Sequence, residues 1–160
     1  MMGLKDLLLA ALKAEIDSKT FYEGLSSRVK NFLLKDRLRF LAGEEEKHRR
    51  YFQSLLEEKF PGEEIVPPPS TPVPLPSLEL PSEEVPLSEV LWQAMQAEKA
   101  AEEFYTQLAE QFAPESQEKK MLIYIAAMER GHYRLLDQER EIALRFEEAD
   151  FAWPMTHLGP

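Results

Sequence analysis

The sequence predicts an all-α fold: a four-helix bundle of two helical hairpins joined by a long, proline-rich crossover. Three observations carry the prediction. Nine of the 12 prolines fall between Pro61 and Pro86, where each ring removes a backbone donor and blocks a helix. The segments on either side are rich in Ala, Leu, Glu, Lys and Gln, which are strong helix formers. Within those segments apolar residues recur at helical spacing.

The first helix spans Leu4 to Leu25, and the polar stretch from Ser26 to Asn31 separates it from a second, Phe32 to Phe60. Pro61-Gly62 ends that helix. The proline-rich linker 61–86 reads as extended chain at about 3.1 Å per residue. A helix of 25 residues is about 38 Å long, which the linker can span; a meandering short-range loop is the other possibility. The crossover is preferred, because so much rigid proline is wasteful in a tight turn. A third helix runs from about Leu87 to Phe112, with Ser88 or Ser82 as candidate N-cap. Pro114 suits the first turn of a fourth helix that continues to about Phe146. An irregular tail, 148–160, follows. The whole reads as a single domain, with hairpin 1 at about 4–60 and hairpin 2 at about 87–147.

Composition narrows the function. Lacking cysteine, the chain can form no disulfide framework, thiolate zinc site or iron–sulfur cluster. With 29 acidic against 19 basic residues the net charge is −10, which argues against nucleic acid and anionic lipid as partners. Apolar runs such as Leu7 to Leu12 fall far short of the roughly 18 residues of a membrane span. The expectation is a soluble, acidic, cytoplasmic protein.

The two hairpins are copies of each other. Ala14-Glu15 with Phe21-Tyr22 returns as Ala97-Glu98 with Phe104-Tyr105, and Glu45-Glu46-Lys47-His48 aligns with Glu129-Arg130-Gly131-His132. The offsets, 83 and then 84, imply one extra residue in the second hairpin loop. Each hairpin thus carries a Glu in its first helix and a Glu-x-x-His in its second. Residues i and i+3 share a helix face, so Glu45 points with His48 and Glu129 with His132. Folded together, Glu15, Glu45, Glu98, Glu129, His48 and His132 converge on the bundle centre as in di-iron or di-manganese carboxylate proteins. Four clustered carboxylates would otherwise hold one another protonated. Two cations remove that conflict, and the ligand set suits iron or manganese while also accepting zinc.

Chance accounts poorly for the pattern. With 24 glutamates in 160 residues, a Glu three places before a given His is about a one-in-seven coincidence. Two such coincidences at matching repeat positions, each with its upstream Ala-Glu, are far rarer. Glu44 could share the face of His48, but its counterpart is Met128 whereas Glu45 matches Glu129. Glu44 and Glu46 are therefore read as solvated, or as supporting the ligands from behind. Tyr22 and Tyr105, seven residues after the glutamates, are read either as hydrogen-bond donors to a ligand carboxylate, as redox-active neighbours, or as ordinary core aromatics. Phe21, Phe104, Trp92 and Met95 read as core or interface, and His157 as exposed.

These motifs resemble the ferritin-like superfamily, most closely its rubrerythrin-like branch, over residues 4–60 and 87–147. The resemblance implies a ferritin-like four-helix bundle with two Fe ions (Mn or Zn in their place). Glu15 and Glu98 would be terminal ligands, Glu45 and Glu129 bridging or nearly so, and His48 and His132 would complete one iron each. No catalytic residue beyond the ligands is implied. The implied activity is oxidoreductase chemistry of peroxidase or ferroxidase type, coupling Fe(II) oxidation to reduction of hydrogen peroxide or dioxygen. Iron handling, or a structural bundle with a non-catalytic metal site, is the alternative. Rubrerythrins usually carry a four-cysteine rubredoxin-type site; its absence here points to a separate electron donor. They also tend to carry a further Glu three residues after the third-helix ligand, where this chain has Ala101; Glu102 lies about 40° round the helix from that place. The expected assembly is a homodimer, for which the linker could serve as a hinge for exchanging hairpins.

Overall fold

The protein is described by a computed structural model covering residues 2–72 and 74–157, with residues 150–157 as backbone alone. Four helices follow one another: α1 (Leu4–Arg28), α2 (Phe32–Lys59), α3 (Leu87–Ala109) and α4 (Gln117–His157). No strand occurs among the described residues. None of the helices is long and apolar enough to cross a membrane.

Local chemistry sets most boundaries. Asn31 caps α2 by accepting the Leu34 N–H at 3.0 Å. Past the end of α2, Gly62 adopts φ 79°, a conformation in which any Cβ would be strained. The third helix starts differently from expectation. Its N-cap is Pro86, whose ring has no acceptor to offer, and Ser88 lies inside the first turn. Glu147 of α4 supplies the missing acceptor, taking the Ser88 N–H at 3.0 Å and its Oγ–H at 2.6 Å. Ser82 caps nothing; its carbonyl closes a turn with the Val85 N–H. The third helix ends at Ala109 rather than Phe112, as bonds to the carbonyl three residues back tighten the chain from Glu110 to Phe112.

The fourth helix departs from expectation at both ends. Pro114 sits in the turn before it, and Ser116 is the cap, its Oγ accepting the Lys119 N–H at 3.1 Å. A hydroxyl can accept that orphan donor, which a proline ring cannot. The helix also continues beyond Phe146 to His157, making 148–157 helical instead of irregular; 158–160 lie outside the described residues. Glu148, Ala149 and Ala152 favour helix, and Pro154 withholds a single donor close to the terminus. His157 ends the helix, its side chain outside the described residues.

Cross-helix contacts fix the topology. Tyr22 meets Glu98 and Tyr105 meets Glu15, so α1 and α3 run antiparallel. Likewise His48 meets Glu129 and Glu45 meets His132, setting α2 against α4. Since α2 and α3 then point the same way, the linker must travel the full length of the bundle. It does so as a strap along α1: Glu63 pairs with Lys5, Leu80 touches Gly24, and the Pro81 carbonyl accepts from Arg28. Two apolar clusters fill the ends of the bundle. One gathers Leu8, Leu12, Phe52, Leu56, Leu108 and Leu122; the other gathers Phe21, Leu38, Leu41, Leu91, Met95 and Leu136. Strap residues Leu75 and Leu78 are buried, one in each cluster. The polar layer lies between them.

Candidate metal centre

Glu15 on α1, Glu45 and His48 on α2, Glu98 on α3, and Glu129 and His132 on α4 all reach this layer, each at most 4% exposed. They form two overlapping groups whose donor atoms lie within 4.8 Å of one another. One is Glu15, Glu45, His48 and Glu129; the other is Glu45, Glu98, Glu129 and His132. Glu45 and Glu129 belong to both. The second hairpin loop, 110–116, is longer than the first, 29–31, and absorbs the change of offset that keeps the copies level.

Each imidazole presents Nδ1 to the carboxylates. His48 Nδ1 is 3.0 Å from Glu129 Oε1 and 3.6 Å from Glu15 Oε2; His132 Nδ1 is 2.8 Å from Glu45 Oε1 and 3.6 Å from Glu98 Oε2. The rings lie nearly parallel, 5.9 Å apart. Despite these approaches, neither Nδ1 has a hydrogen-bond partner, nor do both Glu45 oxygens, Glu15 Oε2, Glu98 Oε2 and Glu129 Oε1. An unpaired buried polar atom costs about 1–3 kcal/mol, so many in one layer call for a shared partner. Donor atoms around one ion at about 2.1 Å sit roughly 3 Å apart, the spacing found here. The residues fit a pair of divalent cations, and the cluster can hold a di-metal site.

The electrostatics agree. Burial, then the Glu45 charge, pushes Glu15 up to about 8. Burial and the charges of Glu45, Glu98 and Glu15 raise Glu129 well above the carboxylate range. For Glu45, burial and the Glu98 charge oppose ionisation, but contacts with Glu15 and both imidazoles outweigh them and lower its value. Burial works against protonation of the imidazoles, yet the carboxylates raise His48 to about 10 and His132 to about 11. Such mutual shifts mark a site with surplus negative charge.

The tyrosines act across the hairpins. Tyr22 donates to Glu98 and Tyr105 to Glu15, each serving the glutamate of the other copy rather than that of its own helix. Burial, then the neighbouring carboxylate charges, raises both phenols well above their usual value, keeping the donated proton in place. Glu46 lies outside the cluster, bonded to Arg49 at 2.7 Å and Lys19 at 3.0 Å. Those contacts, Arg49 first, hold it well below the carboxylate range. Glu44 pairs with Lys47 at 3.2 Å. Glu102 turns away to Arg130 at 2.7 Å, while buried Ala101 lines a void of about 10 Å³ beside Glu15 and Glu129, closed by strap residues Leu75 and Pro76. Met95 and Phe104 are core; Trp92 is half exposed with Arg140 stacked on its ring. Sequence reasoning did not single out Tyr51 and Met128 as neighbours of the site, yet they line one cavity together with His48; their one signal was helical spacing from His48 and Glu129.

Comparison with known proteins agrees with this geometry. No match is found among curated proteins. A solved structure described as a hypothetical protein from Pyrococcus furiosus is 36% identical, with a TM-score of 0.80, covering 91% of this chain and 92% of that one. The rubrerythrin family profile matches residues 6–140, a span containing α2, α3, the strap, most of α1 and of α4, and every residue of the carboxylate–histidine layer, and the chain therefore belongs to the rubrerythrin family.

Proposed function

We propose that the protein is a non-haem di-iron oxidoreductase that couples Fe(II) oxidation to reduction of hydrogen peroxide or dioxygen. The observation that carries this reading is the pair of four-residue groups sharing Glu45 and Glu129. Glu15, Glu45, His48 and Glu129 would hold one iron, and Glu98, Glu129, His132 and Glu45 the other. A ferrous pair held by these residues would supply the two electrons that hydrogen peroxide needs, with two protons, to become two waters.

The chain's own groups arrange the rest. Tyr105 Oη holds a proton directed at Glu15, and Tyr22 Oη one directed at Glu98, which fixes each carboxylate and leaves its second oxygen free for an ion. The strap and the two apolar clusters exclude bulk water from the α1 and α3 side. With no cysteine in these 160 residues, the reading assigns re-reduction to a separate donor. A homodimer belongs to the same reading, supported by exposed Phe32, Leu33 and Phe146 at one end of the bundle.

The test is an anaerobic Fe(II) titration of chelator-treated protein. Two ions per chain are expected, with binding lost in Glu129→Gln and His48→Ala. Absence of stoichiometric binding overturns the reading. Repeated peroxide additions with a reductant then separate catalysis, with many turnovers, from iron handling, with one oxidation per loaded pair.

A further inference from the structure

Ala14 and Ala97 precede Glu15 and Glu98, and Ser18 and Ala101 stand three residues after them, at matching places in the two copies. These four small residues line one void of about 10 Å³ between α1 and α3, with Tyr105 and Glu129 on its inner side. On α2 and α4 the residues before Glu45 and Glu129 are the longer Glu44 and Met128, so the small positions mark one side of the layer. Small residues let helices pack closely and do not by themselves make a passage. The carboxylates supply the second observation. Of the layer's eight carboxylate oxygens, two accept from tyrosines and five are enclosed without a partner. Glu129 Oε2, on a side chain 2% exposed, is neither bonded nor enclosed among the described residues, and Glu129 lines this void. The wider groove between α2 and α4, about 300 Å³, ends on the His48 ring, whose two nitrogens are both enclosed.

Outside, the strap covers the void. Thr71 Oγ1 donates to the carbonyls of Leu75 and Pro76 at 3.3 and 3.1 Å, and the Leu75 N–H donates to Pro72 at 2.9 Å. The segment is thus a turn bonded to itself. Between Glu63, tied to Lys5, and Glu79, tied to Gln93, no described strap residue hydrogen-bonds to a helix. The buried side chains of Leu75 and Leu78 hold it down, and a segment held by few apolar contacts opens locally at low cost.

We infer that this void is the port through which oxidant reaches the centre, with Ala101 and Ser18 as its specificity-determining residues and Leu75 as its cover. The inference rests on the proposed di-iron reading and narrows its substrate class to oxidants of two heavy atoms. A void of about 10 Å³ is at the lower limit for one water. Hydrogen peroxide and dioxygen, taken end-on, have the cross-section of a single atom and pass such a neck lengthwise. An organic hydroperoxide carries its O–O group on a branched or ring-bearing carbon, and that carbon is stopped at Ala101 and Ser18.

The test loads wild type and variants with Fe(II) without air and follows the binding of nitric oxide, a two-atom stand-in for the oxidant, by stopped-flow absorbance. Ala101→Val and, from the opposite wall, Ser18→Val narrow the void. Each is expected to slow nitric oxide binding at least about tenfold, with iron still at two per chain. Met121→Trp, which fills the groove between α2 and α4 instead, is expected to leave that rate unchanged. Cumene hydroperoxide is expected to oxidise wild-type ferrous protein far more slowly than hydrogen peroxide does, and Leu75→Ala to narrow the gap. Nitric oxide rates untouched by both valines, or slowed as much by Met121→Trp, overturn the port, as does equal oxidation by the two peroxides. Loss of iron binding in both valine variants also overturns it, because Ala101 and Ser18 would then support the centre rather than admit molecules to it. Metal counts keep the two readings apart: a wild-type chain that binds no iron refutes the di-iron reading, whereas two irons per chain with indifferent nitric oxide rates refute the port alone.

Discussion

Tyr105 reaches Glu15 from the opposite hairpin, and Tyr22 reaches Glu98 in the same way. These are the only side-chain hydrogen bonds the two glutamates make among the described residues, and their other oxygens belong to the cluster. Replacing Tyr105 with Phe removes one acceptor's partner in a buried setting. Tyr105→Phe is expected to lower the stability of chelator-treated protein by about 1–3 kcal/mol, read from urea unfolding, while leaving iron stoichiometry at two per chain. An unchanged midpoint would show that the bond contributes nothing. The six cluster residues were legible in the sequence because two copies of one pattern define which acid matters: Met128 in the place of Glu44 removed the ambiguity. The crossing of the tyrosines was not legible, since helical periodicity places a residue on a face without saying which neighbour covers it.

At the level of elements, α3 depends on α4 for its start. Pro86 cannot cap, and Glu147, 59 residues away, accepts both the Ser88 backbone and hydroxyl protons. Its negative charge also meets the positive end of the helix dipole. Glu147→Ala is therefore expected to cost about 1 kcal/mol in urea unfolding, with fraying confined to the first turn of α3 by hydrogen exchange. A loss confined to α4 would contradict the role. Local sequence signals could not reveal such a cap, and they misled in a related way at Pro114, whose preference for a first helical turn yielded to the hydroxyl of Ser116. The helical segments themselves, the loop after α1 and the proline-rich crossover were legible because Pro, Gly and apolar period act locally.

Across the molecule, a charged layer separates two apolar clusters that would otherwise be one continuous core. Four buried carboxylates oppose folding unless cations offset them. Removal of bound metal by a chelator is thus expected to lower the thermal midpoint. One site filled at a hundred times its dissociation constant contributes about 2.7 kcal/mol, or roughly 5–10 °C for a chain of this size, by differential scanning calorimetry. An identical midpoint with and without metal would mean that the layer is stable on its own.

Each half of this layer borrows from both hairpins: Glu129 joins Glu15, Glu45 and His48, while Glu45 joins Glu98, Glu129 and His132. As separate molecules, the hairpins would have to find each other by diffusion, and dilution would dismantle the centre. The strap makes their meeting intramolecular, at an effective concentration on the order of millimolar for a short tether. Loading of the centre should consequently follow the metal concentration and be independent of how much protein is present.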